Sequence, residues 1–438
     1  MKKTLLLLSS SLLIACTAQG ERASQSPAQT NLVSEVTESS ATPDFDTAAM
    51  DELLSGAVEA GEVIGVSALV YDDEQVVYAN AFGLGDRERN VPLTKDSVFR
   101  IYSMTKPMTS AVIMDLVEEG KLSLSDAVAD YIPQIGEMKV ATLSEDGEVS
   151  FEDQAVPMTV KDLLLHRGGM AYGIFGEASP IEKAYMEADI FNLDEDLSAK
   201  MDKLAKLPLH SQPGTGWYYS FSIDVLGRII EVVTGQNYGE VMHERLIDPL
   251  GMSDTGFYVR PDQQSRFVSL YLKQGDGTYL LAEDGQKSTF LKDNAYQNPG
   301  GGLVSTLEDY AKFAELMLQG GAYNGTRVLE PETVSAMMSH QMDPDDAFMM
   351  PWLGGETGVG FGYGAAVQIT TTPKQIKEAG KQVGQWGWDG LARTTFYIDP
   401  KNDAFGIMML QYMGGENPAL HDQFQALAVP QTQDFPSD

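Results

Sequence analysis

Phe99-Arg100-Ile101-Tyr102-Ser103-Met104-Thr105-Lys106-Pro107 holds the only Ser-x-x-Lys in this 438-residue chain. The apolar pattern after it predicts a helix from near Ser103 to Glu119, with Gly120 as its C-terminal stop. Residues three apart share a helix face, so the hydroxyl and the ammonium can meet. At the first turn, Ser103 also lies near the positive end of the helix dipole. A serine hydroxyl becomes a nucleophile only when something takes its proton. A lysine does this when burial or nearby positive charge favours its neutral form. Taken alone the motif is weak, because a chain this rich in serine meets it about once by chance. An ordinary capped helix is the other reading.

Outward from this stretch, apolar residues Met50, Leu53, Leu54 and Val58 predict a helix from Phe45 to Gly61. Val63–Tyr71 and Gln75–Phe82 follow as two strands of a hairpin around Asp72-Asp73-Glu74. Further helices are predicted at Phe221–Thr234, with Val225, Leu226, Ile229, Ile230 and Val233 on one face, and at Leu307–Leu318. Strand character returns at Leu391–Ile398 and Ala404–Tyr412, and a last helix covers about Pro418–Leu427. Strands thus sit at both ends and helices in the middle. The fold class is α/β (α+β). One antiparallel sheet is built from both chain ends and flanked by the terminal helices, with a mostly helical region inserted at about 121–300.

The residues around Ser103 resemble the first box of the penicillin-recognising serine hydrolases. These include class C β-lactamases, D-alanyl-D-alanine carboxypeptidases and family VIII carboxylesterases. Leu163-Leu164-Leu165-His166-Arg167-Gly168-Gly169 resembles a family turn, with Gly168 where the family has serine. Asn298-Pro299-Gly300-Gly301-Gly302-Leu303-Val304-Ser305-Thr306 and Gly360-Phe361-Gly362-Tyr363-Gly364 add to the likeness. It spans most of residues 45–428. The resemblance implies a β-lactamase/transpeptidase-like fold, a domain over 45–430, Ser103 as nucleophile, Lys106 as its partner, and no metal or cofactor.

Pro213-Gly214-Thr215-Gly216-Trp217-Tyr218-Tyr219-Ser220-Phe221 resembles the family's second box. That register implies Tyr219 as the catalytic tyrosine, with Tyr218 as the adjacent competitor. Phe221 stands in the cleft where the family has asparagine. A third box is expected on an edge strand beside the cleft, and Gln385-Trp386-Gly387-Trp388-Asp389-Gly390 offers two registers. Counting back from Phe396-Tyr397-Ile398-Asp399-Pro400 favours Trp388-Asp389-Gly390 over Trp386-Gly387. The resemblance then implies an oxyanion hole from the backbone amides of Ser103 and Leu391. Trp388 offers an apolar wall, and Asp389 repels the carboxylate of a β-lactam or peptide C-terminus. Arg393 could restore a positive charge or equally face solvent. His166 reads as a structural turn histidine.

Composition narrows the rest. The formal charge is −33, from 63 acidic and 30 basic side chains, which disfavours nucleic acid and anionic membrane faces as partners. The single cysteine excludes an intramolecular disulfide and a cysteine-based metal cage. The five histidines lack metal-ligand spacing. Gly-x-Ser-x-Gly, His-Glu-x-x-His, a P-loop and Gly-x-Gly-x-x-Gly are all absent. Lys2 and Lys3 precede an apolar run from Leu5 to Ala15, too short to span a bilayer of about 30 Å. Residues 1–15 read as a secretory signal, and Leu13-Ile14-Ala15-Cys16 resembles a bacterial lipobox. The alternative is cleavage downstream near Thr17-Ala18-Gln19. On the lipobox reading Cys16 carries lipid and residues 16–44 form a flexible tether, in an exported lipoprotein of the cell envelope.

Two functional classes follow. One is a serine hydrolase acting through an acyl-enzyme on a small ester or amide, with ester hydrolysis favoured over β-lactamase or D-alanyl-D-alanine carboxypeptidase action. The other is a non-catalytic envelope-binding protein on the same fold. The presence of Ser103, Lys106 and Tyr219 together argues against the second.

Overall fold

The computed structural model describes residues 45–428, apart from 145–147, 175–178, 343–346, 349–358, 363–367, 371–383 and 416–417. The expected signal, Cys16 and the tether lie outside the described residues, as do Tyr363 and Gly364 of the Gly360–Gly364 stretch.

Helix α1 spans Thr47–Glu59 and starts where the Asp46 carboxylate accepts from the Ala49 N–H at 2.9 Å, a side-chain cap. Strands β1 (Gly65–Asp72) and β2 (Gln75–Asp86) form the expected hairpin, and β3 is the short Val91–Pro92. Helix α2 spans Thr105–Glu118 and α3 spans Ser222–Thr234. Helix α4 spans Leu307–Leu318. Five strands return near the C-terminus: β4 (Val359–Phe361), β5 (Gln368–Thr370), β6 (Trp386–Asp389), β7 (Thr395–Asp399) and β8 (Ala404–Met409). Helix α5 (Ala419–Ala428) closes the described chain.

These strands make one antiparallel sheet in the order β4-β5-β6-β7-β8-β1-β2-β3. The join of the two chain ends is β8 on β1, with Leu69 opposite Ile407. Side chains alternate across the sheet, so each strand feeds two cores. Val66, Ala68, Val70 and Met408 face α1 and α5, meeting Met50, Leu54, Leu420 and Phe424. Leu69, Tyr71, Phe405 and Ile407 face the other way, into the large core with Met108 and Val112 of α2 and Phe313 of α4. Because both faces are covered, the central strands read as nearly continuous apolar runs. Helix α2 is buried almost all round, including Lys106. A helix in that position is the core of the molecule rather than its surface.

Three details differ from the sequence reading. The segment 121–300 carries hairpins as well as helices: Val140–Leu143 pairs Val149–Glu152, and Leu270–Lys273 pairs Tyr279–Glu283. The strand expected at Leu391–Ile398 starts only at Thr395, because Gly390–Thr394 is a tight turn. Its Gly390 N–H donates to the Thr394 carbonyl at 2.7 Å, and Arg393 adopts a left-handed φ of 67°. Finally, β6 is not an edge strand. Trp386 and Gly387 pair β5 on one side and β7 on the other, while Trp388 and Asp389 run past the last β5 pairing.

Candidate active site

Ser103 stands in a single 3-10 turn, Tyr102–Met104, that leads into α2. Tyr102 immediately before it has a φ of 43°, a left-handed backbone that a non-glycine residue adopts at a cost. The surrounding structure enforces this turn. The buried Arg100 guanidinium donates to the Val268 carbonyl at 2.8 Å and lies over the Phe267 ring. Tyr310 donates to the Met104 carbonyl at 3.0 Å. The nucleophile candidate is therefore half-exposed on a rigid base.

Two groups converge on it. Lys106 Nζ lies 3.2 Å from Ser103 Oγ, and the Tyr219 hydroxyl lies 2.8 Å from the same oxygen. The ammonium also sits 4.6 Å from the centre of the Tyr219 ring. Tyr219 comes from the loop just before α3, some 116 positions along the chain, so only the tertiary fold makes this meeting. Tyr218 turns away: its hydroxyl donates to Glu182 Oε1 at 2.6 Å. Between the adjacent tyrosines, Tyr219 is the one beside Ser103.

Lys106 has no solvent exposure and two further partners that sequence reasoning missed. The Gly300 carbonyl accepts from Nζ at 2.5 Å, and Tyr172 Oη lies 3.4 Å away. The loop carrying Gly300 is pinned to α2, since Ile101 N–H donates to Leu303 O and Leu303 N–H to Thr105 Oγ1. Burial first, then the neighbouring Tyr219 and Asp224, holds Tyr172 well above the ordinary phenol range. It stays a neutral hydroxyl.

His166 adopts a φ of 52° and is fully buried, with its ring 4.8 Å from that of Tyr219. Its Nδ1 lies 3.2 Å from the Ser220 backbone nitrogen and 3.1 Å from Ser220 Oγ, which holds the ring in place. Burial, then the Lys106 charge, pushes its pKa well below the usual histidine value. A neutral, buried imidazole in a turn packs and orients; it does not reach Ser103.

The third-box residues approach from the sheet. Trp388 is half-buried with its ring 5.7 Å from Tyr219, whereas Trp386 is fully buried against Phe396. The strand thus sends Trp388 to the cleft and Trp386 to the core. Asp389 beside it is exposed. A Cβ on Gly390 would lie 2.1 Å from Thr394 Oγ1 and 2.6 Å from the Ile101 carbonyl, so no larger residue fits this turn against the nucleophile segment. The Leu391 N–H follows with no hydrogen-bond partner among the described residues, and the Leu391 side chain is 54 % exposed. The Ser103 N–H lies in the first turn of a helix, where amides lack an intrahelical acceptor. Phe221 is fully buried, its ring 4.8 Å from Tyr172, so it supports the site from behind instead of lining the open cleft. The Arg393 guanidinium donates to the carbonyls of Gly414 and Gly415, at 3.2 and 2.8 Å. Among the described residues, no group of three or more acidic, histidine or cysteine side chains could hold a metal ion.

The family model described as Beta-lactamase matches residues 50–429. The chain belongs to this family. An uncharacterized protein of Mycobacterium tuberculosis is 34 % identical over 360 residues, covering 81 % of this chain and 87 % of that one. Esterase EstB of Burkholderia gladioli is 26 % identical over 380 residues, covering 83 % and 89 %. Among solved structures, EstCE1, described as a hydrolase with promiscuous acyltransferase activity, superposes with a TM-score of 0.71 at 23 % identity. It covers 86 % of this chain and 98 % of that chain. The protein is a serine hydrolase on the β-lactamase/transpeptidase-like fold.

Proposed function

We propose that this enzyme is a carboxylesterase that works through an acyl-enzyme on Ser103. Ser103 Oγ attacks the ester carbonyl while the Tyr219 oxygen, 2.8 Å away and acting as a phenolate, takes its proton. The Lys106 charge beside the Tyr219 ring favours the phenolate that accepts this proton. The amides of Ser103 and Leu391 stabilise the oxyanion. The carbonyl–alkoxy bond then breaks, and Tyr219 returns the proton to the departing alcohol. Water attacks the acyl-enzyme by the same path, releasing the acid and restoring Ser103.

The observation that carries the ester assignment is the cleft wall at the third box. Trp388 presents an indole beside Tyr219, followed by the acidic Asp389, where recognition of a substrate carboxylate would need a cation. Arg393, the nearest basic side chain in sequence, is engaged by the Gly414 and Gly415 carbonyls. Neutral acyl and aryl groups suit such a wall better than an anionic antibiotic. A short-chain aryl ester and a chromogenic cephalosporin should be assayed side by side. The ester is expected to have a kcat/KM higher by roughly a hundredfold or more. Rapid cephalosporin turnover with no ester turnover would overturn this choice.

A further inference from the structure

Behind Lys106 lies a carboxyl group that the reaction above does not use. Asp224, in the first turn of α3, is only 1 % exposed. Its Oδ1 accepts from the Tyr296 hydroxyl, and its Oδ2 has no hydrogen-bond partner among the described residues. Oδ2 is aimed at Gly300: a Cβ built there would lie 2.9 Å from Oδ2 and 3.3 Å from the Tyr172 hydroxyl. Gly300 is the residue whose carbonyl receives the Lys106 ammonium. One glycine therefore separates a buried carboxyl from a buried amine.

Lys106 finds three oxygen acceptors: Ser103 Oγ, Tyr172 Oη and Gly300 O. An ammonium has three N–H donors to give them, while a neutral amine has two. Yet a buried cation is costly without a counter-charge. The other titratable groups facing Lys106 are Tyr172 and Tyr219 and, through its field, His166. None of these is a carboxylate. Asp224 supplies a counter-charge that remains when Tyr219 takes up the proton.

We propose that Asp224 is a positioning residue that holds Lys106 in its ammonium form and so assigns the Ser103 proton to Tyr219. The inference rests on the acyl-enzyme reading given above. Asp224 is itself poised to change charge in a useful range. Burial pushes it up to about 6, against the opposing pull of the Tyr296 hydroxyl and the Lys106 and Lys200 charges. Tyr172 and Tyr238 also face it, both held neutral by burial. Above about pH 6 the carboxylate is ionised and faces the Lys106 charge. Below it the counter-charge is lost.

The test is the pH profile of kcat/KM for an aryl ester, measured on the full chain with Asp224→Asn and Tyr296→Phe. Wild type should show an acid limb near pH 6. Asp224→Asn should lose that limb and fall about tenfold or more in kcat above it, with KM within about twofold. Tyr296→Phe removes a bond that favours the carboxylate, so its limb should move up by about one pH unit. It should retain kcat within about twofold at high pH, which keeps the inference testable if Asp224→Asn does not fold. A merely structural Asp224 would leave the limb where it is. Ester turnover with unmoved limbs in both variants would overturn the role of Asp224 alone. No ester turnover in wild type would overturn the reaction itself.

Discussion

Ser103→Ala should lower kcat for a short-chain aryl ester by about a thousandfold or more, with the circular dichroism spectrum unchanged. The size of the effect follows from what Oγ does. It forms the covalent bond to the acyl group, and both Lys106 and Tyr219 are aimed at it. Without it their proton has no source, and only substrate binding and the oxyanion donors remain. The fold should survive because Ser103 is half-exposed and its turn is held by others: Arg100, Tyr310 and the Leu303 segment. Retention of more than a tenth of the wild-type kcat would show that another group attacks the ester.

Tyr219→Phe should lower kcat by about a hundredfold to ten-thousandfold, with little change in KM. The ring would keep its packing against His166, Trp217 and Trp388. Only the hydroxyl 2.8 Å from Ser103 Oγ would be lost. The assay should be paired with Tyr218→Phe, whose hydroxyl binds Glu182 and not the nucleophile. That neighbour should stay within about threefold of wild type. The reverse pattern would mean that Tyr218, not Tyr219, manages the proton.

Much of the sheet was legible because it follows a simple rule. Strands covered on both faces read as apolar runs, and β1, β2 and β8 are such runs near opposite ends of the chain. The helices at Thr47–Glu59, Ser222–Thr234 and Leu307–Leu318 declared themselves by apolar spacing and by capping or stop residues. The turn at Gly390–Thr394 did not. Its left-handed residue is Arg393, which carries none of the signal a glycine would give. The hairpin of Leu270–Lys273 with Tyr279–Glu283 had a visible mark in Asp276-Gly277, a dipeptide that suits a tight strand turn.

The site was half legible for a related reason. Ser103 and Lys106 are three residues apart, so the sequence shows their meeting. Tyr172, Asp224 and the Gly300 carbonyl come from three separate segments and meet only in the folded core. A backbone carbonyl leaves no mark in a sequence at all. Asp224 did leave one: it is a carboxyl in the first turn of a helix whose neighbours Ile223, Val225 and Leu226 are all buried. A charged group in such company needs a partner, and here Tyr296 and the Lys106 charge supply it.

The account turns on Ser103 as the reacting nucleophile, and covalent labelling asks this most directly. The full chain should be treated with a fluorophosphonate, digested and analysed by mass spectrometry. The predicted result is one adduct, on the peptide carrying Ser103, formed in step with loss of ester turnover and absent from Ser103→Ala. Complete loss of activity with the adduct on another serine, or full activity after Ser103 is labelled, would contradict it.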